Sequence, residues 1–317
     1  MAPKLKVAVW GWQFQNEYPG EAGATTDDSK LPISEYWGKT NDGLNWQGVY
    51  DAHALEFKDL ASVHHMEARV YGQQGIEFKP WGVVRGAQVG WSGTSYAKAE
   101  GTLAGQIAVA SAGPGERATY IIDLEPYYHG GSTPQFWRND LGAGPAHVRA
   151  FITSFKAAGG QELFIAPDAR PGHLDPVSFA TWLEDPCVTL IMPQVYWTDF
   201  KRSPAASLDT AKSELMKYGV IPSRVVAVTP GNSTPQDMRD GIRHAHSIGF
   251  RGVSVWRRGT ISPEVFDAIA SMDDPWYVPP VVDPPKPEAP RVDLSNEIKL
   301  ASELLDALRA KKAEVSK

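Results

Sequence analysis

The chain has 317 residues, 42% of them hydrophobic, and a formal net charge of −6. That is enough for one large domain or two ordinary ones, and without a basic stripe nucleic acid is not an expected partner. The single cysteine, Cys187, excludes an internal disulfide. With no CxxC and no Cys/His cluster, neither a structural zinc nor any other cofactor is expected. The opening MAPKLKVAVWGW lacks the apolar core of a signal peptide, and no apolar run nears the ~20 residues of a membrane span. The expectation is therefore a chain made without a signal and not inserted in a membrane. Eleven tryptophans are many for this length, an enrichment that suits stacking against sugar rings.

Taken in chain order, LKVAVW (5–10) reads as a first buried strand. WGVVRG (81–86), ATYIIDLE (118–125), ELFIAP (162–167), VTLIMPQVYW (188–197), RVVAVTP (224–230) and GVSVWRRG (252–259) follow it. These runs are continuous in apolar character, as parallel strands covered on both faces are. Between them lie helix-like segments at 52–73, 96–111, 146–158, 176–184, 208–218, 235–248 and 263–270. Two open with Ser or Thr ahead of a proline, at Thr234 and Ser262, which is a helix-start device. Seven strands alternating with seven helices over ~270 residues have the size and rhythm of an α/β (β/α)8 TIM barrel. The missing second strand is assigned to WQGVYD (46–51), and the Gly/Asp/Thr-rich stretch 16–45 to a rim loop. A doubly wound sheet is disfavoured because VWGWQFQ is not a GxGxxG phosphate turn.

Residues 1–272 are thus read as the barrel. A proline-dense linker, DDPWYVPPVVDPPKPEAPRV (273–292), and a helix (293–317) follow. In that helix Leu294, Ile298, Ala301, Leu305 and Leu308 recur at heptad spacing over about two heptads. A helix this short is marginal alone, so it is expected to pack on a copy of itself, a partner or the barrel.

In a barrel, functional side chains stand at the C-terminal ends of strands and in the loops that follow. Those positions give Trp10, Trp12 and Gln13 after the first strand and Arg85 after the third. After the fourth come Asp123, Glu125, Tyr127 and Tyr128; after the fifth, Asp168 and Arg170. Gln194, Tyr196 and Trp197 close the sixth, Asn232 follows the seventh, and Trp256 and Arg257 end the eighth. Acids ringed by aromatics and amide or guanidinium donors suit a neutral, hydroxyl-rich ligand. Asp123 and Glu125, two residues apart on one strand, stand roughly 6–7 Å apart. At that spacing two carboxylates drive their pKa values apart, leaving one able to donate a proton while the other stays charged. Glycosidic cleavage needs that division, and neighbouring carboxyl groups only ~5–6 Å apart leave no room for an attacking water between them, so net retention is expected. Trp10 and Trp256 are read as core caps or ligand platforms. Arg85 is read as a ligand contact or the ion-pair partner of Asp123, and Asp168 as a ligand contact or the partner of Arg170.

A barrel whose fourth strand ends in Asp-x-Glu, here DLE at 123–125, resembles the lysozyme-type muramidases of glycoside hydrolase family 25 and, more distantly, the family 18 chitinases. The resemblance implies Glu125 as general acid and Asp123 as assisting carboxylate. It also implies Tyr196, in MPQVYW, as a contact to a substrate acetamide. Trp10, Trp12, Arg85, Tyr127, Asp168, Gln194, Trp197 and Trp256 would bind substrate. The sequence departs from family 25 in offering Trp10, Trp12 and Gln13 where that family ends its first strand in aspartate, and from family 18 in lacking DxxDxDxE. The leading expectation is a glycoside hydrolase acting on a bacterial cell-wall N-acetylated polysaccharide. The linker and helix add the expectation of a phage lysin or tail-associated protein that works at the wall, with the helix joining it to a copy or a virion partner. The alternative is a non-catalytic carbohydrate-binding virion protein with the same cleft.

Overall fold

The computed structural model describes residues 3–12, 30–50, 57–124, 126–127, 135–136, 141–168, 170–173 and 176–278. One compact unit spans Met1–Tyr277 and a second Val278–Lys317. The linker beyond residue 278 and the C-terminal helix at 293–317 lie outside the described residues.

Eight parallel strands build the first unit: β1 (Val7–Gly11), β2 (Ile33–Asp42), β3 (Glu77–Val83), β4 (Thr119–Leu124), β5 (Glu162–Pro167), β6 (Val188–Ile191), β7 (Val226–Pro230) and β8 (Gly252–Trp256). Their order in the sheet is β7-β8-β1-β2-β3-β4-β5-β6, and parallel bridges Ile191↔Val225 and Gln194↔Val228 join β6 to β7. The sheet thus curls into a nearly closed barrel. A helix follows each strand from β2 onward: α1 (Leu60–Gln74), α2 (Ser95–Ser111), α3 (Pro145–Ala157), α4 (Pro176–Leu183), α5 (Pro204–Met216), α6 (Pro235–Ser247) and α7 (Pro263–Ala270). The serine- or threonine-before-proline device caps α6, where Thr234 accepts from the Asp237 N–H, and α7, where Ser262 accepts from the Val265 N–H. It also caps α5 through Ser203.

The expected second strand at 46–51 is corrected. Residues 33–42, assigned to a rim loop, form β2, and Asn45–Trp46 only turns back antiparallel onto its end. Gln47–Tyr50 is a short helical turn. Boundaries also move: β3 begins four residues before the expected run, β6 ends at Ile191 with a single bridge beyond it at Gln194, β8 ends at Trp256, and the first helix is described from Leu60.

Alternation decides what fills the barrel. Ala8 and Trp10, Trp37, Trp81, Ile121, Phe164 and Ala166, Leu190 and Val228 point inward and form one packed cluster with Met192. Intervening residues such as Val9, Tyr36, Ile122 and Ile165 pack outward against the helices. Trp10 meets Trp37 and Trp81 edge-on, with ring centroids 5.1 and 5.4 Å apart.

In the helix layer, α2 and α3 approach so closely that a Cβ on Gly101 would stand 2.2 Å from the Phe151 carbonyl oxygen. Helix propensity alone would make Gly101→Ala stabilising by about 1 kcal/mol. The overlap with a rigid backbone reverses the sign, and urea unfolding is expected to show a loss of about 1–3 kcal/mol. A stabilised variant would contradict this packing.

Candidate active site at the C-terminal mouth

Register places the site. Asp42 of β2 pairs with Val83 of β3, Val83 with Asp123 of β4, and Asp123 with Ala166 of β5. Val83 and Ala166 belong to the inward set, so Asp42 and Asp123 face the interior at one level, two strands or ~10 Å apart in backbone position.

Asp123 is buried and accepts a hydrogen bond of 2.9 Å from Gln194 Nε2. Gln194 holds its place because it bridges in parallel to Val228 of β7. Around this pair, Trp10, Ala166, Tyr196, Val228 and Trp256 enclose a space of about 10 Å³, room for one water or a methyl group and not for a ring. Tyr196 and Trp256 are half-buried, with ring centroids 6.5 Å apart. Outside them Trp12, 36% exposed, stacks on Trp256 at 6.5 Å with planes 28° apart. The Arg257 guanidinium lies 4.6 Å from the Trp12 ring. The Trp256–Arg257 peptide is cis.

Several expected site residues stand elsewhere. Trp10 is core: it is buried, and its Nε1–H donates to Ser254 Oγ at 3.1 Å. It reaches the site only as one wall of the small space beside Asp123. Trp197 is removed from the site. Being the neighbour of the inward Tyr196, it faces the helix layer, donates to Ser233 Oγ at 2.9 Å and packs against Gly241. Arg85 is held by Asp42 of the second strand, with Nε–Oδ1 at 2.9 Å and a second contact through its terminal nitrogen. Asp168 pairs with Arg170, Nε to Oδ1 at 3.0 Å, and lies 2.9 Å from His173 Nδ1; Arg170 in turn covers the Phe200 ring at 4.8 Å. Glu125, Gln13 and Tyr128 lie outside the described residues, as does the side chain of Tyr127.

The structure adds residues that the sequence reading missed with β2. Lys39 is buried, 5.4 Å from the Trp81 ring centroid and 3.5 Å from Asp42 Oδ2. One carboxylate thus faces two cations. The loop carrying Arg85 is anchored from behind by Glu100 of α2, fully buried, which accepts the Arg85 and Gly86 N–H groups at 2.8 and 2.7 Å. Burial pushes the Glu100 carboxyl up to about 8, against the pull of those two donors and Arg85. No group of three His, Cys, Asp or Glu side chains able to hold a metal ion occurs among the described residues.

No family model matches the chain, and no curated protein matches it in sequence. Solved structures do match in fold. The Group IV chitinase of Ostrinia furnacalis superposes with a TM-score of 0.54 at 10% identity, covering 83% of this chain and 98% of that one. A GH26 β-mannanase from Bacteroides ovatus gives 0.54 at 12%, over 84% and 88% of the two chains. A GH18 chitinase from Pseudoalteromonas aurantia gives 0.50 at 14%, over 84% and 98%. At such identities the likeness is one of fold, and that fold is the (β/α)8 barrel of these glycoside hydrolases.

Proposed function

We propose that this chain is a glycoside hydrolase acting on an N-acetylated polysaccharide of the bacterial cell wall, with Glu125 as general acid and Asp123 as the assisting carboxylate. The observation that carries the proposal is the setting of Asp123: a buried carboxylate at the mouth, steadied by Gln194, beside a space of methyl size roofed by Tyr196 and Trp256. A sugar ring does not fit that space, but the end of an acetamide arm does. The ring itself would rest on the outer faces of Tyr196, Trp256 and Trp12. Glu125, directly after β4, would then protonate the leaving oxygen while Asp123 steadies the acetamide, with net retention. The family 25 likeness, the phage origin and the role of residues 293–317 in joining the chain to a copy or a virion partner belong to the same proposal.

A second reading, a carbohydrate binder without turnover, has its own observation. The first strand ends at Trp10 and Gly11, with Trp12 next in the chain, and none of the three is a carboxylate. Reducing-end release and turbidity loss from purified walls separate the two. The wild type is expected to clear walls and Glu125→Gln to leave them intact. Saturable binding of wall glycan with no release by the wild type would establish the binder.

A further inference from the structure

The opposite pole of the barrel holds a cavity larger than the space beside Asp123. It measures about 420 Å³ and is lined from the N-terminal ends of the strands. Its floor is apolar, made by the inner faces of Trp37, Phe164 and Leu190. Its wall carries four cations, Lys6, Lys79, Arg117 and Arg251, and four carboxylates, Glu35, Glu77, Glu116 and Glu162, unevenly distributed around it.

On the β2–β5 side each ion pair is already made. Lys79 Nζ lies 2.8 Å from Glu35 and also contacts Glu77. Burial opposes its charge, yet the two glutamates outweigh that and hold the ammonium above the usual lysine range. Glu162 pairs with Arg117 at 3.1 Å and accepts the Thr119 hydroxyl at 3.2 Å. Glu116 accepts the Gly113 N–H at 3.1 Å. On the other side Lys6, just before β1, and Arg251, just before β8, stand on neighbouring strands and line the same cavity. Neither has an acidic partner among the described residues. Glu35, Glu77 and Glu162 are engaged with Lys79 and Arg117 across the cavity, so Lys6 and Arg251 are the cations left to meet a ligand on this side.

We infer that this pole is a second binding site, separate from the mouth, for a small molecule with one anionic head and an apolar body. The head would bridge Lys6 and Arg251, and the body would lie on Trp37, Phe164 and Leu190. The volume is in the range of small-ligand sites, which likewise combine apolar walls with a few polar anchors.

Phenylacetate and its neutral isostere phenylacetamide are suitable probes for the full chain, followed by isothermal titration calorimetry. Phenylacetate is expected to bind saturably at one site in the millimolar range, and phenylacetamide at least about tenfold more weakly, as the loss of one charged hydrogen bond implies. Lys6→Gln/Arg251→Gln alters two exposed side chains that no fold contact requires. It is expected to keep the wild-type melting temperature and lose phenylacetate affinity by about tenfold or more. No saturable heat, equal affinity for acid and amide, or unchanged affinity in the double variant would each overturn the inference. None of these outcomes depends on the activity of the mouth.

Discussion

Glu125→Gln is expected to lower glycan hydrolysis by about 10²–10⁴-fold while leaving glycan binding intact. The substitution keeps the shape and hydrogen-bonding capacity of the side chain and removes only the transferable proton, which is the contribution that general acid catalysis makes. The signature lies in the leaving group. An aryl glycoside whose phenol departs without protonation is expected to restore most of the Glu125→Gln rate. It is not expected to rescue Asp123→Asn, because the carboxylate proposed to steady the acetamide acts on the other side of the breaking bond. Asp123→Asn is expected to fold, since the Gln194 amide can still donate to the remaining side-chain oxygen. Equal rescue of both variants would show that the two acids do not divide the work in this way.

The second large effect is on stability. Glu100 is fully buried, and its carboxyl titrates near 8 in the fold against an ordinary value of 4.5. Between those values the folded chain holds a proton that the unfolded chain has released, so stability falls as pH rises. Its contribution is fully present below about pH 4.5 and is lost by the time pH passes 8. The total over that window is about 4–5 kcal/mol. Arg85, Asp42 and Tyr96 face the same carboxyl and are unchanged by Glu100→Gln. That variant is expected to flatten the pH dependence of the urea midpoint between pH 5 and 8, whatever its absolute stability. A parallel slope in wild type and variant would mean that Glu100 is ionised throughout. The same measurement reports on the mouth, because Glu100 anchors the backbone that carries Arg85.

Strands whose buried side chains are mostly aliphatic and aromatic were legible from the sequence. TYIIDL, ELFIAP and VAVWG declare themselves because both their faces are covered. β2 did not. ISEYWGKTND carries Glu35 and Lys39 on the same inward face as Trp37, so its pattern reads as a polar loop. Those charges are tolerated because Lys79 answers Glu35 and Asp42, on the same strand, answers Lys39 and also holds Arg85; Lys79 and Arg85 lie on other segments, which a local window over β2 does not contain. Losing β2 also lost Lys39 and Asp42, and with them a partner of Arg85. Asp123 and Gln194 were legible because strand-end position alone selects them. Trp197 was misplaced for a local reason: β6 stops at Ile191, and which side chains of the following extended stretch turn inward is set by the bridge of Gln194 to β7.

The central claim is that the mouth binds an N-acetylated sugar with its acetamide arm beside Asp123. A crystal structure of Glu125→Gln soaked with a chito-oligosaccharide tests it most directly. The account predicts one sugar ring against Trp256 and Tyr196, with its acetamide oxygen or nitrogen within hydrogen-bond distance of Asp123 or the Tyr196 hydroxyl. An oligosaccharide bound at the mouth with no acetamide directed toward Asp123, or bound only away from the mouth, would contradict it.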